Sequence, residues 1–237
     1  MSKYNNQEPM KIPEDKIEYE KAIEEWAEGN ESLKKLLILC NNVGVKTFTC
    51  CGGHKDRFAY PYISVVVDEN NFDIIVDIFK RIYINIDEIF SIGFSLNNGD
   101  NGFTITTKID NPNEKFDEIY NIIKNYNENN EEEIEIEENV EKEIKYIIEL
   151  HKYMVEKNIS YSINLGDIEN TGKAGIYFTL TEKDSPILEL LKENEKFKLK
   201  NEIYLKEKDY YHASYYLDNY NYMDLKELLD GIRSIYD

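Results

Sequence analysis

The stretch PYISVVVDENNFDIIVDIFKRIY, residues 61–83, decides the fold because its hydrophobic period changes in the middle. Its first part is alternating and β-branched, which predicts a strand, and its second part spaces apolar residues along one face of a helix. Residues 175–195, GIYFTLTEKDSPILELLKENE, make the same change, with Ser185 as a helix cap and Pro186 in the first turn. Both stretches therefore predict a strand followed by a helix.

Each stretch lies within the same predicted order of elements, α-β-β-α-β-β-α. In the first half the helices are predicted in 31–45, 70–83 and 113–126, and the strands in 44–49, 61–69, 89–96 and 102–109. In the second half the helices are predicted in 140–158, 185–195 and 224–236, and the strands in 159–164, 176–182, 197–207 and 210–218. The sequence therefore predicts the same order of helices and strands twice.

One constant offset relates the two halves. It places Gly44 over Asn158, Gly52 over Gly166, and Ile63–Asp68 over Tyr177–Glu182. We therefore predict an α+β fold, sandwich-like in its α/β layers, built from two tandem copies that form a pseudo-two-fold pair. The predicted parts are a lead-in helix in 1–29, a first copy in 30–126, an acidic linker in 127–137 and a second copy in 138–237. The alternative is a chance match between two halves of an ordinary α/β chain.

The charge balance narrows the class of partner. The 237 residues carry a formal net charge of -19, and 32% of them are charged. Such a chain repels nucleic-acid phosphates and anionic membranes, so it predicts no direct nucleic-acid or membrane partner. It favours a basic protein surface, or simply keeps the chain soluble. With three cysteines, no signal-peptide pattern and no long apolar run, we expect a reduced protein in the cytoplasm.

Reactive side chains and glycines crowd together once, in KTFTCCGGHKDR, which begins at Lys46 and ends at Arg57. Glycine N–H groups with basic neighbours are typical of a small anion pocket, which would hold a nucleotide-like ligand. The candidate ligand-binding residues are Lys46, Thr47, Cys50, Cys51, Gly52, Gly53, His54 and Arg57. If the chain is an enzyme, Cys51 with His54 would be its nucleophile and base. A tight structural turn with small buried cysteines is the remaining interpretation.

A metal or cofactor is not predicted at this segment. Neighbouring residues of a strand point to opposite faces, so only one of the two cysteines could join His54 in a site. The equivalent stretch of the second half keeps one aligned glycine but has neither cysteine nor histidine. Any function of the segment would therefore belong to one copy.

The segment resembles two families. The N-methyltransferases of tRNA wybutosine synthesis have a T-x-[ST]-S-C-S-G-R segment between a helix and a strand; here Thr47, Cys51 and Gly53 match, while Cys50 replaces a serine and His54 the arginine. The likeness covers residues 31–67, and the family's later motifs do not occur in this sequence. The resemblance implies a related fold. If the chain is an enzyme, it also implies binding of S-adenosylmethionine. The segment also resembles a G-I-x-T-x-x-S-C-x-G-H element of small phage and mobile-element proteins from low-GC bacteria. That likeness implies an inhibitor of host defence, such as an anti-CRISPR protein.

Tyrosines and carboxylates alternate near the C-terminus, in 204–224. Tyrosine supplies rigid contact area and acids steer a basic partner, so this segment predicts a protein-binding surface. The predicted contacts are Glu202, Tyr204, Glu207, Asp209, Tyr211, Tyr215, Asp218 and Tyr220. An alternating strand with half-buried tyrosines is the other interpretation. The leading hypothesis is a non-enzymatic protein that blocks a basic, nucleic-acid-binding surface, and the alternative is a protein that binds or converts a small anion at residues 50–57.

Overall fold

A computed structural model describes residues 16–53, 60–84, 91–97, 100–107, 112–127, 136–166, 175–183, 185–205 and 210–237. The helices of this part of the chain are α1 (Lys16–Ala27), α2 (Glu31–Asn42), α3 (Phe72–Tyr83), α4 (Pro112–Asn127), α5 (Glu138–Glu156), α6 (Pro186–Glu193) and α7 (Tyr222–Tyr236). Its strands are β1 (Thr47–Cys51), β2 (Tyr62–Val66), β3 (Ser91–Asn97), β4 (Asp100–Thr106), β5 (Tyr161–Gly166), β6 (Gly175–Leu180), β7 (Lys198–Leu205) and β8 (Tyr210–Asp218).

The fold is therefore mixed α+β, as predicted, with antiparallel strand pairs. The order α-β-β-α-β-β-α runs from α2 to α4 and again from α5 to α7, and α1 is the predicted lead-in helix. Most of the predicted acidic linker, 127–137, lies outside the described residues.

The chain divides into two compact units. The first contains the described residues within 1–82 and 102–132. Its strands pair in the order β1-β2-β4, and α2 packs against α4. Alternate residues of the strands enter the core, where the rings of Phe79 and Phe103 meet edge-on at 6.2 Å between centroids. The apolar face of α2 is buried at Leu33, Leu36 and Leu37.

The second unit contains the described residues within 83–101 and 133–237. Its strands pair in the order β3-β5-β6-β8-β7, with every neighbouring pair antiparallel. Helix α5 packs against α7, and α6 also contacts α7. The division differs from the predicted copies in one element, because β3 comes from the first half of the sequence and pairs with β5.

Helices α2 and α5 end in the same way. Gly44 and Asn158 follow them with φ angles of 81° and 52°, in the left-handed region. The N–H of Val45 donates to the carbonyl oxygen five residues earlier at 2.8 Å, and that of Ile159 does the same at 2.9 Å. Both ends are therefore Schellman motifs, in which the left-handed residue lets two late carbonyls find donors.

The strand pairs after these helices also correspond. In β1 and β2 the opposed residues are Thr49 with Ser64, Cys50 with Ile63 and Cys51 with Tyr62. In β5 and β6 they are Ile163 with Phe178, Asn164 with Tyr177 and Leu165 with Ile176. All three pairs are related by the offset that places Gly44 over Asn158. The order of pairing continues alike, since β2 pairs with β4 and β6 pairs with β8.

Candidate functional site

The described part of the cysteine–glycine corner, residues 50–53, lies at the end of β1 against the junction of α1 and α2. The Cys50 thiol donates to the carbonyl oxygen of Trp26 at 3.3 Å. The Gly52 N–H donates to a carboxylate oxygen of Glu28 at 3.4 Å. The Cys51 thiol is 3.9 Å from the same oxygen. A carboxylate of the protein itself therefore faces this corner.

The second glycine of the corner is required by space and by backbone conformation. Gly53 has a φ of 88°, where residues with a Cβ are strained. A Cβ built on it would lie 2.6 Å from the Cγ of Pro61, well inside van der Waals contact. The structure therefore supports the interpretation of this segment as a tight turn.

Cys50 is poorly suited to be a nucleophile or a thiolate ligand. Burial raises the pKa of its thiol to about 12, and the nearby Glu28 and Cys51 add to the shift. At neutral pH the sulfur stays protonated, and a thiol is a far weaker nucleophile and metal ligand than a thiolate.

An anion bound at the corner would meet groups that are already engaged. The Gly52 N–H is directed at Glu28, and the Gly53 N–H donates to the Cys51 sulfur at 3.4 Å. A bound phosphate would have to displace the Glu28 carboxylate or lie beside it, and like charges repel. The described half of the corner therefore gives the anion pocket no support.

Of the other predicted ligand residues, the structure describes Lys46 and Thr47. Lys46 is exposed. Thr47 is buried, and its hydroxyl has no hydrogen-bond partner among the described residues. His54 and Arg57 lie outside the described residues. In the part of the chain that the structure covers, His, Cys, Asp and Glu side chains form no group of three that could hold a metal ion.

The tyrosine–acid segment divides into buried and accessible residues. Tyr211 and Tyr215 are 5% and 2% exposed, so neither ring is available to a partner. Glu202 and Tyr204 lie on β7, whose residues are all exposed. The Tyr211 hydroxyl donates to Glu202 at 2.8 Å, so the buried ring orients an exposed carboxylate. Residues 213–217 of β8 are all buried, so this strand lies deeper than the alternating strand with half-buried tyrosines that the sequence left open.

The remaining predicted contacts are only partly accessible. Asp218 is half-buried and accepts from the Tyr216 hydroxyl at 3.3 Å. Tyr220 is half-buried, and its hydroxyl lies 2.6 Å from that of Tyr83. Glu207 and Asp209 fall outside the described residues.

Two features were missed by the sequence analysis. Glu28 faces the corner from a left-handed backbone position, with a φ of 51°. The residues that follow, Gly29 and Asn30, gave a usable signal for the helix start, because the Asn30 side chain caps α2 by accepting from the Leu33 N–H at 2.9 Å. Nothing local marks the direction of the Glu28 carboxylate.

The second missed feature is a partly buried polar cluster in the second unit. The Tyr83 hydroxyl donates to Glu143 at 2.9 Å, next to its contact with Tyr220. Burial raises the pKa of both the Tyr83 phenol and the Glu143 carboxyl. Residues so far apart in the chain carry no common motif, so only the tertiary structure brings them together.

Comparisons with known proteins give no family for this chain. No protein-family model, curated protein or solved structure matches it. None of the described helices is long and apolar enough to cross a bilayer.

Proposed function

We propose that this protein is an acidic, non-enzymatic interaction protein that binds and blocks the basic, nucleic-acid-binding surface of another protein. The observation that carries the proposal is the group of exposed carboxylates on α1, at the junction that follows it and at the start of α2. Its members, here called the acidic ridge, are Glu18, Glu20, Glu24, Glu25, Glu28 and Glu31, and all six are exposed. In a chain of net charge -19, such a ridge attracts a basic surface over several ångströms.

The ridge has a spacing suited to basic side chains that normally grip phosphates. Glu20 and Glu24 are one turn apart on α1, roughly 6 Å along the helix axis. Parts of the ridge are held in place, since Glu24 pairs with Lys34 and Glu28 accepts from Gly52. Ordered carboxylates lose less conformational entropy on binding than free ones. The cysteine–glycine corner therefore supports one end of the ridge.

The class of partner we propose is a nucleic-acid-binding defence protein of a bacterial host, such as a CRISPR nuclease. The charge of the ridge and the resemblance of residues 44–54 to phage proteins support this choice. The exposed Glu202 and Tyr204 of β7 stay in the proposal as further contacts. No cofactor or nucleic acid is part of the proposed complex.

The test is displacement of DNA from a guide-loaded Cas9-type nuclease, followed by fluorescence anisotropy of the labelled duplex. We expect the protein to release the DNA at low salt and to do so less well as salt rises. Changing Glu18, Glu20, Glu24 and Glu25 to glutamine should weaken inhibition roughly ten-fold, because each lost ion pair is worth some tenths of a kcal/mol.

A control variant with the same net charge distinguishes an effect of the acidic ridge from an effect of the overall charge. Glu137, Glu141, Glu156 and Glu195 are exposed carboxylates elsewhere, and changing these four to glutamine should leave inhibition nearly intact. Equal losses in the two variants would contradict a role for the ridge. No displacement from CRISPR nucleases or restriction enzymes at any salt concentration would refute the proposed function.

We also propose that the chain arose by internal duplication of one α-β-β-α-β-β-α element set. The matching Schellman motifs, the matching registers of β1/β2 and β5/β6, and the shared pairing order support it. Two unrelated halves would have no reason to keep helix end and strand register at a single offset. The pseudo-two-fold arrangement of the copies stays a prediction.

Gly44 and Asn158 should then be interchangeable. We expect Asn158→Gly to stabilise the protein by about 0.5 kcal/mol, because glycine adopts the left-handed conformation with no steric cost. Lys157→Gly, one residue earlier at a φ of -82°, should instead destabilise it by about 1 kcal/mol. Urea unfolding measures both changes, and a destabilised Asn158→Gly variant would contradict the equivalence.

A further inference from the structure

Strand β7 is the outer strand of the sheet in the second unit. Among the described residues it pairs with β8 alone, and all of its residues are exposed. In an antiparallel ladder, about half of a strand's N–H and C=O groups point away from its partner. The outer side of β7 is therefore accessible to another strand.

The two halves of β7 differ in their protection against such pairing. Lys198, Lys200 and a bulge lie in the first half, and edge strands use lysines and bulges to avoid pairing. The second half, residues 201–205, keeps a regular register with β8 and carries one charged side chain, Glu202. We call residues 201–205 the open edge.

Exposed apolar side chains concentrate on the open edge. Ile203, Tyr204 and Leu205 are each more than a third exposed. Alternation puts Ile203 and Leu205 on one face of the strand, and Glu202 with Tyr204 on the other. One face of the open edge is therefore aliphatic, and an exposed edge of this kind is a template for pairing with a further strand.

The other face of the open edge carries one negative and one positive group. The Glu202 carboxylate accepts from the Tyr211 hydroxyl at 2.8 Å, and the Lys183 ammonium lies 4.3 Å from the centre of the Tyr204 ring. Two copies that pair antiparallel about an axis at Ile203 would place Glu202 of each copy opposite Tyr204 of the other. Each carboxylate would then face the ammonium group of the other copy's Lys183.

Neighbouring registers bring like charges together. An axis at Glu202 would oppose two carboxylates, and an axis at Tyr204 would direct two Lys183 ammonium groups at each other. The axis at Ile203 also gathers four aliphatic side chains, Ile203 and Leu205 of both copies, on the opposite face. The geometry points to the open edge as the docking site of a second copy of this chain, with Ile203 at the two-fold axis. The sheets of the two copies continue into each other through this contact.

The dimer is a weak one. A pairing of five residues from each copy is small beside a standard interface of roughly 1,600 Å². Two chains of charge -19 also repel each other, although salt at about 0.15 M screens exposed charges beyond roughly 8 Å. The dimer covers Glu202 and Tyr204, so these residues are open to the basic partner in the monomer only. The acidic ridge lies in the first unit and takes no part in the pairing.

The test is sedimentation velocity of the full-length protein over roughly 1 to 300 μM, where we expect a dimer with a Kd of about 30 μM. Ile203→Lys puts two ammonium groups at the axis and should weaken the dimer at least about ten-fold. Ile235→Lys is the matched control on α7, because Ile235 is 36% exposed and Ile203 is 39% exposed. It should leave the dimer unchanged.

A charge exchange tests the register. Glu202→Lys should weaken the dimer because the new lysine faces Lys183 of the other copy. Adding Lys183→Glu to this variant should restore the dimer. In the natural chain, hydrogen exchange should be slower at the backbone amides of the open edge in the concentrated sample than in the dilute one.

Several results would overturn the inference. One is a monomer over the whole concentration range, and another is a dimer that Ile203→Lys and Ile235→Lys weaken equally. A charge-exchanged variant as weak as Glu202→Lys, or slowed exchange only outside β7, would place the contact elsewhere. The four-glutamine variant of the acidic ridge should dimerise like the natural chain, so failure here leaves the proposed inhibitory function standing.

Discussion

Gly93→Ala should destabilise the protein by about 3 kcal/mol, because the added methyl group has no space in the sheet. A Cβ at this position would lie 2.2 Å from the backbone oxygen of Ile163 and 2.6 Å from the Asn164 side chain. The Asn164 amide could rotate away, but the carbonyl belongs to the β3/β5 ladder and cannot move without breaking strand pairing. Chemical denaturation should show a large fall in the unfolding midpoint.

Ser95→Ala is the matched control for this change. Ser95 occupies the next outward position of β3, and its replacement removes one partly exposed hydroxyl without adding an atom. It should change the free energy of unfolding by less than about 1 kcal/mol. Near-equal stabilities of the two variants would show that β3 and β5 do not approach as closely as the structure has them.

Acid should weaken the folded state through His151, which is 1% exposed. Its ring stacks on Phe94 with centroids 4.5 Å apart, and its Nδ1 shares a hydrogen bond of 2.5 Å with the Tyr161 hydroxyl. Burial lowers the pKa of His151 from 6.5 to about 4, with a smaller contribution from the charge of Lys152. The folded state therefore keeps this histidine neutral where the unfolded chain protonates it.

The sign of the effect follows from proton binding. Between about pH 6.5 and 4 the unfolded chain holds more protons at His151 than the folded protein, so stability falls as the pH falls through this window. The contribution is fully present above pH 6.5, and about 3 kcal/mol of it is lost by pH 4. Urea unfolding at a series of pH values measures the slope.

A double variant isolates this histidine from the other titrating groups. His151→Phe with Tyr161→Phe keeps two aromatic rings and removes both polar partners, which often costs little stability at neutral pH. The other two histidines remain, so the difference in slope between the double variant and the natural chain reports His151. A double variant that keeps the full slope would mean that His151 is hydrated or already charged in the folded state.

Local sequence patterns predicted the elements well. The alternation of residues 61–67 and the apolar period of 72–83 predicted β2 and α3, whereas the helix predicted in 31–45 ends earlier, at Asn42. Strand alternation and helix period depend on residues close to one another in the chain, so the side chains of neighbouring residues determine them. The cysteine–glycine corner was identified for the same reason, since a pair of adjacent glycines indicates an unusual backbone conformation.

The interactions of that corner could not be read locally. The sequence predicted that basic residues and a bound anion lie next to Gly52. In the folded protein the carboxylate of Glu28 lies there instead. The tyrosine–acid segment was predicted as a contact surface, but Tyr211 and Tyr215 enter the core. Alternation predicts that neighbouring strand residues face opposite ways, and it does not say which face becomes the interior.

The sequence by itself determined the order of helices and strands, their bounds to within a few residues, and the strong negative charge. The tertiary structure alone decided that β3 pairs with β5, that Glu28 faces the glycine corner, and that β7 is the outer strand of the second unit's sheet. The physical reason is the separation along the chain of the residues that interact. Helix period, caps and charge arise from residues close in the chain, whereas strand partners, register and burial are fixed by free energies summed over residues that meet only after folding.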